Sequence, residues 1–239
     1  MRSAAPHQTS NKPSGIIKLF NFIKPIMGES KRKKQQQAVL LPDLQAAVSR
    51  VASAIRRLAL AASGYLGSDC YLHAEMGRLL LADLGFKATL VSGYAAWRVG
   101  PGDGDVISHT LHTQGFLPPG AQGFVYHIWL DCAGFLVDFS TYQLTQKGVS
   151  LDIADGGHTE VQWCPPYLLL SRDQVRSYRE VAMALNPGVA YYETDDSLVE
   201  RLGPPFKIDP ADLNAARLLM ANPEMQALGP NDIGDAVRR

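Results

Sequence analysis

Two short apolar runs, residues 124–131 and 135–139, flank the tripeptide Cys132-Ala133-Gly134. The length of the turn between them constrains the fold more than any other feature of the chain. A two-residue turn at Ala133-Gly134 is a common way to close a hairpin, and it pairs Cys132 with Phe135. In that register Trp129 faces Asp138 and His127 faces Ser140. Alternation then puts His127, Trp129, Leu136 and Asp138 on one side of the sheet. His127 and Asp138 become diagonal neighbours, roughly 7–8 Å apart at the backbone and within side-chain reach. A three-residue loop reverses the parity and sends Asp138 to the other face. The turn therefore decides between an imidazole held by a carboxylate and a surface strand with an ordinary exposed His and Asp.

Upstream, Gly67-Ser68-Asp69-Cys70 leads directly into an apolar-periodic run that stops at Gly85. Ser68 and Asp69 are good N-cap residues, and glycine commonly follows a helix end. Leu72, Met76, Leu79, Leu80 and Leu84 recur at helical spacing and give a core face. Cys70, His73, Ala74 and Gly77 share a neighbouring face, where an interior glycine lets another element approach closely. At a helix start the unpaired N–H groups and the dipole favour thiolate over thiol. The competing reading of Cys70 is a buried, inert thiol. Taken with His127 and Asp138, it supplies the parts of a cysteine acyl-transfer site.

These residues also resemble a known family. Residues 70–94, with Leu84-Gly85 and Val91-Ser92-Gly93-Tyr94, resemble the nucleophile helix and following strand of transglutaminase-like proteins. His127-Ile128-Trp129 is similar to that superfamily's His-Ala-Trp element. Asp138-Phe139-Ser140-Thr141 is similar to its Asp-Pro-Thr element, with Phe139 where the family usually has Pro. The likeness covers about residues 65–142. It implies a papain-like α+β fold in which the nucleophile helix packs on an antiparallel sheet. It also implies a triad with Cys70 as nucleophile, His127 as base and acid, and Asp138 as orienter. Trp129 is expected to pack beside Asp138 and shield the His–Asp bond. The family often places a Trp, Tyr or Gln upstream of the nucleophile to complete an oxyanion hole. No Trp precedes Cys70, which leaves Tyr65 and Gln45 as candidates beside the Cys70 N–H itself.

Other histidines carry weaker patterns. His73-Ala74-Glu75 matches the His-x-Glu of zinc deaminases, but Cys132 and Cys164 lack the Cys-x-x-Cys spacing that such a metal site needs. His109 and His112 read as exposed loop histidines near a cleft. No metal and no cofactor are expected.

The chain has 239 residues, 46% of them hydrophobic, enough for one core and a small appendage. The formal net charge of zero gives no bulk attraction to nucleic acid, and no nucleic-acid partner is expected. The basic run Lys31-Arg32-Lys33-Lys34 lacks interleaved aromatics and reads as a solvated linker. Residues 15–27 are apolar but interrupted by Lys18, Lys24 and Pro25, so neither a transmembrane segment nor a signal peptide is expected. Three cysteines do not make a disulfide framework, and a reducing cytoplasm suits a free thiol.

The expected organisation is a flexible basic arm over 1–38, a transglutaminase-like core over 39–165, and a helical extension over 166–239 packed on the core. An amphipathic helix is expected over 44–62, a strand over 87–99, a helix capped by Ser171-Arg172-Asp173-Gln174 that runs to about Leu185, and a helix over 211–221. The function expected is a cysteine-dependent amide hydrolase or acyltransferase on a peptide or amide substrate. The alternative is a non-catalytic binding or assembly module that keeps the fold. The oligomeric state is not legible.

Overall fold

The computed structural model describes residues 23–62, 69–110, 125–202 and 207–230. The chain divides into two units, Met1–Leu41 and Pro42–Arg239. In order, the elements are α1 (Ile23–Ala61), α2 (Cys70–Asp83), β1 (Ala88–Arg98), β2 (Val106–His109), β3 (His127–Cys132), β4 (Phe135–Asp138), α3 (Leu144–Asp155), β5 (Leu168–Ser171), α4 (Tyr178–Met183), β6 (Val189–Thr194), α5 (Ser197–Leu202) and α6 (Pro210–Ala221). The fold is α+β, with helices around a six-stranded sheet whose strand pairs are all antiparallel.

The hairpin closes as its sequence predicts. Cys132 pairs with Phe135, Asp131 with Leu136 and Leu130 with Val137. Ala133 and Gly134 have φ of 55° and 83°, the left-handed pair that a two-residue hairpin turn requires. The Gly134 N–H donates to the Asp131 carboxylate at 3.1 Å, which fixes the turn further.

β1 is the hub of the sheet. Gly93 has His127 on one side and Thr194 on the other, and Ala95 has His109 on one side and Tyr192 on the other. β2 and β3 therefore abut end to end along one edge of β1, while β6 covers the other edge. Cross-strand partners put their side chains on the same face. One face thus carries His127, His109 and Tyr192 around Gly93 and Ala95, with Trp97 two residues further along β1. The two small residues leave room for the rings. Ala95, Trp97, Trp129, Leu136, Leu144 and Tyr192 belong to one buried cluster on this face.

α2 packs on β1 and β3. It ends as its glycine predicts: Gly85, at φ 85°, donates to the Ala82 carbonyl and Phe86 donates to the Leu81 carbonyl, the reciprocal pair of a Schellman end. Gly77 has the packing reason its position implies, because the Phe139 ring lies where a Cβ would be.

Several expectations change. The helix expected over 44–62 begins earlier, at Ile23, and runs through Pro42. Residues 23–38 of the expected flexible arm are therefore helical, and residues 1–22 lie outside the described residues. The segment 166–239 is not a helical extension alone. It supplies β5, which pairs with β4, and β6, which pairs with β1. Ser171 and Gln174 do bond to each other, but they hold a turn at the end of β5. The helix begins later, under a capping box of Ser177 and Glu180. Two similar Ser-x-x-Gln and Ser-x-x-Glu signals lie six residues apart, and only the second is followed by helical backbone. α6 starts one residue before expectation, with Pro210 at its first turn and Asp209 capping the Ala211 N–H.

Among the described residues, Gln37–Ala61 is long and apolar enough to cross a bilayer. Length and composition do not make it a span, since core helices meet the same test. Here Leu44, Val48, Val51 and Ile55 are buried.

Gly93 gives the sharpest test of the hub. A Cβ there would lie 1.9 Å from the Glu193 carbonyl oxygen and 2.7 Å from the Trp129 ring. Backbone cannot swing aside as a side chain can, so Gly93→Ala is expected to cost about 1–3 kcal/mol or more in a denaturant titration. Trimming Trp129 should not restore the loss, because the nearer obstacle is a main-chain oxygen.

Candidate active site

Cys70 is the first residue of α2, His127 the first of β3 and Asp138 the last of β4. The structure brings all three together at one end of the sheet. The His127 Nε2–H donates to Asp138 Oδ2 at 2.8 Å, and each residue is only 1% exposed. Nε2 is the donor because a carboxylate can only accept. In the neutral ring that assignment puts the lone pair on Nδ1, and in the imidazolium Nδ1 carries the second proton; Nδ1 is buried and without a hydrogen-bond partner of ordinary geometry.

Asp138 is saturated with donors. Oδ1 accepts from the Ser140 N–H at 2.8 Å and the Ser140 hydroxyl at 2.7 Å. Oδ2 accepts from His127 and from the Tyr192 hydroxyl at 2.7 Å. Tyr192 is itself held by the Trp97 indole N–H at 2.9 Å. Burial alone would raise the Asp138 pKa, but His127 and Ser140 overcome it and hold the carboxyl at about 2. Burial alone would lower the pKa of His127, but the Asp138 charge and hydrogen bond, with Cys70 adding, raise it to about 9. Burial puts the Tyr192 phenol well above its ordinary value, with Asp138 reinforcing, so it stays a neutral donor.

Trp129 takes a related but different place from the one expected. It is buried and stacks on His127, with centroids 6.1 Å apart and planes 20° apart, and meets Tyr192 edge-on at 5.2 Å. The edge of Trp97 closes another side of the imidazole at 4.9 Å. Water is thus kept from the His–Asp bond by two indoles and a phenol, which strengthens a charged hydrogen bond.

A cavity of about 20 Å³ opens beside Cys70, lined also by His127, His109, Gln143 and Lys147. Cys70 lies close enough to His127 to raise its pKa by hydrogen bonding and by charge, although the contact is looser than an ordinary hydrogen bond. Catalytic contacts are often loose without substrate. Burial lowers the Lys147 pKa, while the Cys70 and Asp69 charges act the other way. The buried Gln143 amide donates to Asp69 Oδ2 at 3.3 Å and the Tyr142 hydroxyl at 3.2 Å. Of the two oxyanion candidates from the sequence, Gln45 is exposed on α1 and Tyr65 lies outside the described residues.

Asp69 occupies the N-cap position of α2, but its side chain makes no capping bond. It lies instead 3.4 Å from His73. Ser68 lies outside the described residues. His73 is bonded to the Asp69 carbonyl at 2.9 Å and the Tyr142 hydroxyl at 2.7 Å, and Glu75 is paired with Arg78. Both halves of the His-x-Glu motif therefore serve other partners. His112 lies outside the described residues.

His109 corrects the sequence reading. It is not a loop histidine but the last residue of β2, and its ring meets His127 at 5.5 Å. A four-residue strand, Val106-Ile107-Ser108-His109, was its available signal, too short to separate from a loop. Tyr192 was more legible, since Val189-Ala190-Tyr191-Tyr192 follows the breaker Asn186-Pro187-Gly188 and reads as a strand. Nothing in the sequence ties either residue to Asp138 or His127.

No family model matches the chain, and no curated protein matches it. One solved crystal structure, a genomics target, aligns at 15% identity over 77% of this chain and 83% of its own, with a TM-score of 0.48.

The buried pair makes stability depend on pH from both sides. His127 is raised above 6.5, so its contribution is complete below about pH 6.5 and lost as pH rises through about 9. Asp138 is depressed below 3.8, so its contribution is present above about pH 4 and lost as pH falls through about 2. In Cys70→Ala protein, which lacks the thiol's own titration, urea unfolding should show greatest stability between about pH 4 and 6.5. Adding Asp138→Asn should flatten both shoulders.

Proposed function

We propose that the protein is a cysteine-dependent amide hydrolase or acyltransferase with a transglutaminase-like core, working through a thioester at Cys70. The observation that carries this reading is the state of His127. Its Nε2 is committed to Asp138, and its Nδ1 is unpartnered beside a cavity that Cys70 lines.

In this mechanism the proton of Cys70 passes to His127 Nδ1, and the sulfur attacks the substrate's carbonyl carbon. The carbonyl oxygen becomes an oxyanion. The Cys70 N–H, at the first position of a helix, and Lys147, which lines the same cavity, are the donors this reading assigns to it. The imidazolium then gives its proton to the leaving nitrogen as the C–N bond breaks, which leaves a thioester. An acceptor, water or amine, attacks that carbon with His127 as base. The C–S bond breaks and the thiol is restored. Asp138 keeps the imidazole in the required tautomer and steadies its charge. Ser140, Tyr192 and Trp97 keep Asp138 in place.

Two kinds of measurement test this. Iodoacetamide labelling, followed by mass spectrometry across pH, should modify Cys70 ahead of Cys132 and Cys164. Burial raises Cys132 to about 11 and makes it a slow competitor. His127→Ala should slow Cys70 labelling near neutral pH and less at high pH, where thiolate forms without help. On an amide substrate, His127→Ala should lower turnover about 10²–10⁴-fold, and Asp138→Asn by less. Amide cleavage also needs a proton from the imidazolium, so it should fall as pH rises through about 9, while alkylation, which needs only thiolate, should not. If Cys70 labels no faster than an ordinary exposed thiol, and His127→Ala leaves that rate unchanged, a binding or assembly module becomes the better account.

A further inference from the structure

Two imidazoles line the cavity, those of His127 and His109, and acyl transfer at Cys70 needs only the first as its base. The His109 Nδ1–H donates to the Tyr126 carbonyl at 3.1 Å. That bond fixes the tautomer, because a carbonyl can only accept, and so leaves Nε2 as a lone-pair nitrogen. His109 Nε2 is buried and has no hydrogen-bond partner. His109 lines the same cavity as Cys70 and His127, and the two imidazole rings are 5.5 Å apart. A buried acceptor left unpaired is costly, and most such groups in native proteins have a partner. The register explains why the two rings meet, since His127 and His109 stand opposite Gly93 and Ala95 on one edge and one face of β1.

We infer that His109 Nε2 and His127 Nδ1 together hold the acyl acceptor for the thioester at Cys70, and that this acceptor is water. The inference rests on the thioester reading above. Two acceptor nitrogens call for a nucleophile with two hydrogens on the attacking atom, which water and primary amines have and alcohols lack. The cavity's volume of about 20 Å³ is room for about one water. In deacylation the water oxygen attacks the thioester carbon and the C–S bond breaks. One water proton passes to His127 Nδ1 and from there to the Cys70 sulfur. The other hydrogen is held by His109 Nε2, which accepts a hydrogen bond and gains no proton. Burial, with the charges of Lys147 and His127, pushes the His109 pKa well below its ordinary value, so the ring stays a neutral acceptor at working pH.

The test separates the two halves of the reaction on the full-length chain. With p-nitrophenyl acetate, the first-turnover burst of p-nitrophenolate reads acylation of Cys70, and the steady rate reads deacylation. His109→Phe keeps a ring but removes the acceptor. It should leave the burst near wild type and slow deacylation about a hundredfold, with acetylated Cys70 accumulating by intact mass. A normal burst also shows that the variant is folded. His109→Gln, which returns an acceptor oxygen, should recover part of the deacylation rate. Hydroxylamine should compete with water for the acyl group in the wild type, and methanol should not. If His109→Phe deacylates at the wild-type rate, or loses burst and steady rate equally, the inference is overturned while Cys70 acylation stands. If the wild type shows no burst beyond that of Cys70→Ala, the thioester reading falls and this inference falls with it.

Discussion

A carboxylate and an imidazole that are both withdrawn from water are stable in a protein interior to the extent that each satisfies the other and the remaining polar atoms find partners. Asp138 meets that condition completely. Four donors reach its two oxygens: the Ser140 N–H and hydroxyl on one, His127 and Tyr192 on the other. A carboxylate offers about four such sites, so none is left over. His127 meets the condition only by half, because its Nδ1 is unpartnered. The His–Asp pair is thus satisfied up to one nitrogen, and His127 lines the cavity beside Cys70. The rest of the site is arranged around this asymmetry.

The backbone that makes it possible is β1. Gly93 and Ala95 have almost no side chain, so the face they floor can hold His127, His109, Tyr192 and Trp97 as one group of rings. The abutment of β2 and β3 along one edge brings the two histidines side by side. The opposite edge brings in Tyr192, and with it the donor that completes Asp138. The segment after residue 166 is for this reason part of the site's support and not an appendage to it. Two guanidinium groups away from the site are held by backbone carbonyls, half-buried Arg57 and buried Arg98. Arg57 of α1 donates to the Leu219, Asn222, Pro223 and Met225 carbonyls around the end of α6, and buried Arg98 donates to carbonyls of Gly102, Val181 and Ala182. Each guanidinium ties together carbonyls of a helix end or loop, some of which, such as Asn222, Gly102 and Val181, also accept a backbone N–H.

What the sequence determined by itself was local. Gly134 favoured a two-residue turn, because glycine enters the left-handed region without a Cβ penalty, while Ala133 enters it at a cost and a three-residue loop stayed open until the structure closed the turn. That turn set the parity which puts His127 and Asp138 on one face. Gly85 ended α2, Asp209-Pro210 began α6, and the Cys70 position at a helix start followed from the apolar spacing behind it. Each of these rests on dihedral preferences or on a period of 2 or 3.6, which a single chain segment carries within itself. Tertiary structure alone decided which distant residues complete the site. Tyr192 reaches Asp138 across 54 positions, and His109 meets His127 because two strands share an edge of β1. It also decided that Ser171 and Gln174 hold a turn while Ser177 and Glu180 cap a helix. Strand pairing between remote segments has no local signature: backbone hydrogen bonds are the same for every residue, and the choice of partner is made by burial of the whole face at once.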